Sequence, residues 1–218
     1  MATKKYSLVQ FLNQGSTSNF DLYLVTTEKQ LQAVAGIIKK AKSVCINIQG
    51  TNLDPELSVY AGMSLAVNQD VVYFIPRNTN DATEPSLTLT DVVAGLQPVL
   101  ADNKIEKIMY NILFNQAMLE KSEMLVAGKI FDITTAASLV MDNSKQETIE
   151  LLKSFYHISS ANSYQEMMDY EKTQPNPFLI EQGLWQNISD THQTIVLSKI
   201  LKAELQCLLD KKQICKHE

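Results

Sequence analysis

The sequence predicts an α/β domain in which a mixed central β-sheet is flanked by α-helices. Strand-like runs are concentrated in the first half of the chain, whereas the second half is helical almost throughout. The 218 residues, 45 % hydrophobic and 20 % charged, suffice to bury one core and lack the composition of a disordered chain. We therefore expect one domain at residues 21–210, with a polar lead-in at residues 1–20 and a polar tail at residues 211–218.

The first predicted elements alternate between strand and helix. Asp21–Val25 alternates polar and apolar residues, which is typical of a strand. Thr27 and Gln30 have the spacing of a capping box, and apolar residues then recur at helical spacing up to Lys42. The short apolar run Ser43–Ile48 predicts the next strand.

Two adjacent strands and a helix are predicted next. Tyr60–Val67 and Val71–Ile75 are strand-like, and the connection between them is short enough for a hairpin. Thr90–Leu100 has the pattern of a helix and leads into a strand at Lys107–Tyr110.

The remainder of the chain is predicted to be mainly helical. Helices are expected at Asn115–Leu125 and at Ile130–Val140. The paired prolines of Thr173–Pro177 indicate a loop, which precedes a long closing helix.

Charge and cysteine content exclude several classes of protein. The net charge of −5 shows no overall excess of basic residues, which argues against tight autonomous DNA binding. Cys45, Cys207 and Cys215 are too few and too scattered for a disulfide framework, so we expect a reduced, cytoplasmic setting. No stretch approaches the roughly 20 apolar residues of a membrane span, and we expect no membrane partner.

A motif begins within the predicted strand Ser43–Ile48 and continues beyond it. Asn47, Gln49 and Thr51 are succeeded by the turn Leu53-Asp54-Pro55. This segment resembles the opening of the 3′–5′ exonuclease domain of bacterial family A DNA polymerases, the DNA polymerase I family. In that family the strand carries Asp-x-Glu-Thr before a Leu-Asp-Pro turn. Asn47 and Gln49 therefore stand where the family has its two acids.

Two later segments extend the resemblance to this family. Its second motif is an Asn followed four residues later by a metal-binding Asp, and Asn111 and Asn115 occupy these positions. Its third motif is a Tyr or His four residues before the last metal-binding Asp, and here Gln186 precedes Asp190. The ordered set implies a ribonuclease H-like fold of the DEDD exonuclease type.

The resemblance also implies that the catalytic centre is degenerate. Such exonucleases use two divalent ions, one to activate water and one to stabilise the leaving oxygen, and these ions require anionic oxygen ligands. Three of the four expected acids are amides, at Asn47, Gln49 and Asn115, and Gln186 cannot accept a proton at neutral pH. We therefore expect no cofactor; Asp190 alone would hold Mg²⁺ or Mn²⁺ weakly if residual activity exists.

The leading functional hypothesis is a vestigial, catalytically inactive exonuclease domain. It would act as a scaffold beside a polymerase domain, in cis or in trans, in DNA replication and repair. It would also bind single-stranded DNA weakly through Thr51, Asn111 and Asn115, because amides and hydroxyls donate to phosphate oxygens that carboxylates repel.

Two alternatives remain open from the sequence. One is an active, metal-dependent 3′–5′ exonuclease on single-stranded DNA ends, for which Asp190 and Asp54 would have to supply the carboxylates. The other is a free-standing adaptor that binds a protein partner.

Overall fold

A computed structural model describes residues 20–76, 87–141, 156 and 182–214. Six strands and five helices lie within these residues. The strands are β1 (Asp21–Leu24), β2 (Ser43–Gly50), β3 (Tyr60–Asn68), β4 (Val71–Pro76), β5 (Glu106–Met109) and β6 (Ile130–Asp132). The helices are α1 (Glu28–Ala41), α2 (Leu89–Leu100), α3 (Ile112–Lys121), α4 (Ile133–Val140) and α5 (Gln182–Ile214).

The six strands form one mixed sheet in the order β1-β4-β3-β2-β5-β6. The consecutive strands β2, β3 and β4 pair antiparallel, and β3 and β4 form the predicted hairpin. The parallel pairs are β1 with β4, β5 with β2, and β6 with β5. The predicted mixed sheet with flanking helices is therefore confirmed.

Helices cover both faces of the sheet, and β2 shows how the sequence divides between them. Val44, Ile46 and Ile48 are buried in one cluster with apolar residues of α1 and α2. Cys45, from the opposite face of the strand, is buried in a second cluster with α4 and α5. Because successive residues of a strand point to opposite faces, the apolar run of β2 contributes to both cores.

The helices α1 and α2 begin at the residues that the capping signals indicate. Thr27 and Gln30 form the predicted capping box of α1. Thr88 and Asp91 form a second box that starts α2. The two helices then pack closely at Gly95, where an added Cβ would lie 2.3 Å from Leu31 Cδ2.

The predicted limits of α3 were wrong. The expected helix was Asn115–Leu125, but the observed helix is Ile112–Lys121. It begins directly after Asn111, which has the left-handed φ of 52° that asparagine tolerates better than most residues. It stops before Glu123, whose φ of 59° breaks the helical path, and Leu125 is left 70 % exposed.

A helix predicted to start at Ile130 begins with a strand instead. Ile130–Asp132 forms β6 and pairs with β5 at the sheet edge, so α4 starts only at Ile133. Asp132 ends the strand and caps the helix, because its carboxylate accepts the backbone N–H groups of Thr134 and Thr135. Three residues are too few to show the alternation of a strand.

Some expectations fall outside the described residues. They include the lead-in at residues 1–20 apart from Phe20, the loop Thr173–Pro177, and the last four residues with Cys215. The domain limits therefore stay predictions. Among the described helices, none combines the length and the apolar character needed to cross a membrane.

An amide-lined candidate site

The candidate site lies where β2, α3 and α5 meet. β2 pairs with β5 only from Ser43 to Cys45, so the rest of that edge of β2 extends beyond the last paired residue of β5. The start of α3 adjoins this edge, and α5 packs across the face of β2 that carries Cys45 and Asn47. The sheet order therefore brings together the elements that carry the three motifs, and the residue of α5 in contact with Asn47 is Asn187, next to Gln186 in the sequence.

Asn115 completes the backbone hydrogen bonding of β2. Its Oδ1 accepts the N–H of Ile48 at 2.7 Å, a donor that β5 does not reach. Its Nδ2 donates to the carbonyl oxygens of Tyr110 at 2.7 Å and Asn111 at 3.3 Å. The side chain is 1 % exposed, and its partners require an acceptor at one end and a donor at the other. Only the amide meets both needs at neutral pH.

Asn47 links the strand to the long helix. Its Nδ2 donates to the carbonyl oxygen of Asn187 in α5 at 3.2 Å, and its Oδ1 accepts from Asn115 Nδ2 at 3.5 Å. Ser64, directly opposite Asn47 in β3, donates its hydroxyl to Asn187 Oδ1 at 2.6 Å. The result is a partly buried polar network of neutral groups that joins four elements, β2, β3, α3 and α5.

The other motif positions make hydrogen bonds that do not involve the residues of this network. Gln49 is half-buried, and its Nε2 donates to the carbonyl oxygen of Gly50 at 3.0 Å. Gln186 is exposed and donates from Nε2 to Asp190 Oδ1 at 2.8 Å. Asp190 itself is half-buried and lies on the turn of α5 that also carries Asn187. The two positions of the third motif are therefore paired with each other.

The loop after β2 holds the remaining candidates. Thr51 is exposed, and its Oγ1 accepts the N–H of Val59 at 3.1 Å, which closes the base of the loop. Asp54 accepts the N–H of Glu56 at 2.9 Å and so stabilises a turn. Asn111 is exposed at the start of α3. Of the three predicted nucleic-acid contacts, Thr51 and Asn111 are therefore accessible and Asn115 is buried.

Two ionisable groups near the network remain neutral. Burial raises the pKa of the Cys45 thiol, whose Sγ lies 3.6 Å from the carbonyl oxygen of Thr191. Burial lowers the pKa of His192, more than the opposing influence of the Gln69 backbone and Asp70, and its ring stacks on Phe20 at 4.4 Å. Neither group is accessible as a nucleophile or as a solvent-exposed base.

The donor set does not fit the two-metal centre that the resemblance implies. Asp190 is the single carboxylate among the five motif positions, and the others are neutral amides. Across the described parts of the chain, no group of three or more His, Cys, Asp or Glu side chains is placed to hold a metal ion. Magnesium binds hard, anionic oxygen ligands, so neutral amides at three positions leave too little charge for two ions.

Sequence reasoning missed two residues of the network, Ser64 and Asn187. Both are buried, at 0 % and 4 % exposure. Ser64 carried a usable signal, because it is a polar residue inside the apolar run of β3. Asn187 carried none apart from its position beside Gln186, since an asparagine on a helix is usually solvated.

The sheet order and the flanking helices define an exonuclease-like α/β fold, and solved structures share it. RNase D from Trypanosoma brucei superposes with a TM-score of 0.63 at 14 % identity, over 83 % of this chain and 64 % of that one. NrnC from Brucella melitensis with bound Mg²⁺ gives 0.55 at 17 % identity, over 79 % and 77 %. Escherichia coli RNase D gives 0.62 at 9 % identity, over 87 % and 46 %. The fold is that of the ribonuclease H-like DEDD exonucleases.

The family follows from sequence similarity. Residues 22–214 match the 3′–5′ exonuclease family of A-type DNA polymerases, and the chain belongs to that family. Among curated proteins it is similar to DNA polymerase I of Chloroflexus aurantiacus, with 27 % identity over 119 residues. That match covers 53 % of this chain but 12 % of the polymerase, so the chain corresponds to a small part of that relative.

Proposed function

We propose that this exonuclease domain is catalytically inactive and serves as a scaffold that holds single-stranded DNA weakly without cutting it. The observation that carries the proposal is the bonding of Asn115. Its amide nitrogen donates to the Tyr110 carbonyl while its oxygen accepts from Ile48. A side chain at a metal-ligand position of the family is thus committed to the backbone.

The third motif supports the same proposal. Gln186 cannot remove a proton from water at neutral pH, and it donates to the one remaining carboxylate, Asp190. A carboxylate oxygen that accepts an amide N–H has less of its lone-pair capacity available for a cation. General-base catalysis and metal binding are therefore weakened at the same place.

The accessible polar side chains are compatible with weak binding of single-stranded DNA. Exposed Thr51 and Asn111 and half-buried Gln49 offer hydroxyl and amide groups that can donate to phosphate oxygens. The net charge of −5 opposes tight binding. We expect dissociation constants on the order of 10⁻⁴ to 10⁻⁶ M at physiological salt, the range of non-specific contacts. Because no metal is needed, chelation should not change them.

Digestion of a 5′-labelled single-stranded oligonucleotide with Mg²⁺ or Mn²⁺ tests the inactivity. The control is Asp190→Ala, purified identically. We expect no shortening of the oligonucleotide, or equal trace shortening in both proteins from a contaminant. Metal-dependent laddering from the 3′ end that disappears in the control would refute the proposal and make Asp190 a metal ligand.

Fluorescence anisotropy of a labelled oligonucleotide tests the binding. We expect the same affinity in EDTA and in Mg²⁺, and weaker binding by Asn111→Ala. An exposed lysine on α1 provides the matched control, because Lys40→Ala removes a charge at a distant element. No saturable binding by the unaltered protein would leave only the scaffold role.

The similarity to DNA polymerase I favours a polymerase domain as the partner, in cis or in trans, in a cytoplasmic setting of replication and repair. The reading frame that encodes the chain tests the cis arrangement. A polymerase region continuous with it supports a built-in scaffold. Its absence, with no binding to a co-expressed polymerase domain, would contradict a polymerase partner.

A further inference from the structure

The end of the sheet opposite the candidate site carries four accessible lysines. The parallel strands β2, β5 and β6 all begin at this end, and Lys42, Lys104 and Lys129 lie at or close to their first residues. Lys202 reaches the same end from α5, where its Nζ forms an ion pair with Glu106 at the start of β5. Three of these lysines are exposed and Lys202 is half-buried. We call these four lysines the basic end.

The two loops that carry Lys104 and Lys129 are packed against each other. Gly128 has a φ of 89°. An added Cβ at Gly128 would lie 2.7 Å from the carbonyl oxygen of Asn103, so the loops touch through their backbones. The backbone positions of the two lysines are therefore fixed relative to each other.

A buried lysine joins the same two loops from beneath. Lys107, in β5, is 0 % exposed. Its Nζ donates to the carbonyl oxygen of Asp102 in one loop at 2.6 Å and to that of Ala127 in the other at 2.7 Å. These partners are neutral carbonyl groups, so they satisfy the N–H donors without cancelling the charge.

A single carboxylate lies between two lysines of the basic end. Glu106 Oε1 is 3.5 Å from Lys129 Nζ, and Glu106 Oε2 contacts Lys202 Nζ. The Lys202 ammonium group also lies 4.7 Å from the centre of the Phe131 ring. One carboxylate cannot neutralise two ammonium groups, so positive charge remains at this surface.

The local charge is opposite in sign to that of the whole chain. The basic end and the buried Lys107 supply five lysines against two acids, Asp102 and Glu106, a formal charge of +3, whereas the chain carries −5. Lys42 and Asn47 are five residues apart in the extended chain of β2, about 17 Å. This distance exceeds the Debye length of about 8 Å at physiological salt. The basic end and the candidate site are therefore electrostatically separate.

The composition of the basic end suits a polyanion better than a protein partner. Lysine is depleted at protein–protein interfaces, whose centres contain aromatic and other large anchors. The loop tips at positions 103, 104, 128 and 129 carry only asparagine, lysine and glycine. Lysine contacts phosphate oxygens irrespective of base sequence, and duplex DNA presents one negative charge per about 1.7 Å of its axis.

We propose that the basic end binds the phosphate backbone of duplex DNA, at a site separate from the candidate site. Lys42, Lys104 and Lys129 contact phosphate oxygens as point charges, and Glu106 limits the contribution of Lys202. The binding is weak, with dissociation constants on the order of 10⁻⁴ to 10⁻⁶ M at physiological salt. The inference does not rest on the proposed function, because it requires neither loss of catalysis nor contact with a single strand.

Fluorescence anisotropy of a labelled, covalently closed DNA duplex tests the binding, because this probe has no free 3′ end. The slope of log affinity against log salt should be about −3, since each exposed lysine contributes about −0.9. Lys104→Gln and Lys129→Gln should each make the slope shallower by about one. The control Lys29→Gln removes an exposed lysine at the opposite end of α1 and should leave the slope unchanged. No saturable binding, or equal slopes in all variants, would overturn the inference.

Removal of the carboxylate tests the inference in the opposite direction. Glu106→Gln keeps the shape of the side chain but removes the countercharge of Lys129 and Lys202. Binding of the closed duplex should tighten by about fivefold at low salt, and the slope should steepen by about one. Weaker or unchanged binding, at an unchanged denaturation temperature, would overturn the inference.

Two further measurements distinguish the basic end from other modes of binding. Asn111→Ala, at the candidate site, should leave the affinity for the closed duplex unchanged. A loss equal to that of Lys129→Gln would place the duplex at the candidate site and overturn the inference. A labelled polyglutamate peptide should show no saturable binding. Peptide binding that Lys129→Gln abolishes, without duplex binding, would identify an acidic protein partner instead. The single-stranded probe tests the proposed function and the closed duplex tests this inference, so the two can fail separately.

Discussion

The two faces of β2 are specified by different physics. On one face Val44, Ile46 and Ile48 pack against apolar side chains from α1, α2 and neighbouring strands. On the other face Asn47 belongs to a hydrogen-bonded network that reaches α5. The first face is determined by volume and by removal of apolar surface from water. The second is determined by which atoms donate and which accept.

This difference decides which changes each face tolerates. An apolar residue of similar size can replace another in a packed core at small cost. An acid has nearly the size and shape of its amide, but replacing the amide by the ionised acid turns a hydrogen-bond donor into an acceptor. Substitutions that preserve shape should therefore be mild on the apolar face and severe at Asn115.

The largest effect is expected for Ile46→Ala. Ile46 is 0 % exposed, so truncation leaves a cavity between the sheet and the helices and should lower the free energy of unfolding by about 2–5 kcal/mol. Urea denaturation measures the loss. Ile37→Ala, at a 37 % exposed position on α1, is the control and should cost much less. If Ile46→Ala lowered the free energy of unfolding by less than any amide substitution does, the comparison of the two faces of β2 would be contradicted.

An intermediate effect is expected for Asn115→Asp. One carboxylate oxygen can still accept from Ile48, but the other would face the Tyr110 carbonyl that now lies 2.7 Å from Nδ2. We expect a loss of about 1–3 kcal/mol at pH 7, the usual cost of an unsatisfied buried polar group. Asn111→Asp adds the same charge at an exposed neighbour and is the control.

The cost of Asn115→Asp should depend on pH. A protonated carboxyl can donate to the Tyr110 carbonyl, so the folded state should raise the pKa of the introduced group above its ordinary value of about 3.9. The penalty is then smallest below that value and grows as the pH rises through the folded-state pKa. Denaturation series at acid and neutral pH measure it. A penalty that vanishes on adding Mg²⁺ would instead indicate a metal ligand.

The smallest effect is expected for Gln49→Ala. Gln49 is half-buried, and its Nε2 donates to the carbonyl oxygen of the next residue, Gly50. Its removal should change the free energy of unfolding by no more than about 0.5 kcal/mol. Thermal denaturation beside the unaltered protein measures this. A loss as large as that of Asn115→Asp would show that the polar network includes Gln49.

Much of the fold was predictable because local signals agreed with the final packing. The Thr27–Gln30 capping box placed the start of α1, and the apolar alternation placed β3 and β4. The errors occurred where local signals were weak or where tertiary contacts determined the limits of an element. α3 begins after the left-handed Asn111, and β6 exists because three residues pair with the edge of β5.

The candidate site was predictable only in part. The family resemblance grouped Asn47, Asn115 and Asp190 in one site, and the structure bonds Asn47 to Asn115 but connects α5 to them through Asn187. The hydrogen-bond pattern was not accessible, because it depends on where β5 stops pairing with β2. The hydrogen bonds from Lys121 to carbonyl oxygens of the loop after β2 likewise join residues 63 to 66 positions apart in the chain.

The bonding of Asn115 has an evolutionary consequence. If the domain is inactive as proposed, changing Asn115 alone to the acid would lower stability, because the donor to the Tyr110 carbonyl is lost, and would add little metal affinity while Asn47 and Gln49 stay neutral. A stepwise route to metal-dependent cleavage would then pass through a less stable protein, and several replacements would have to occur together.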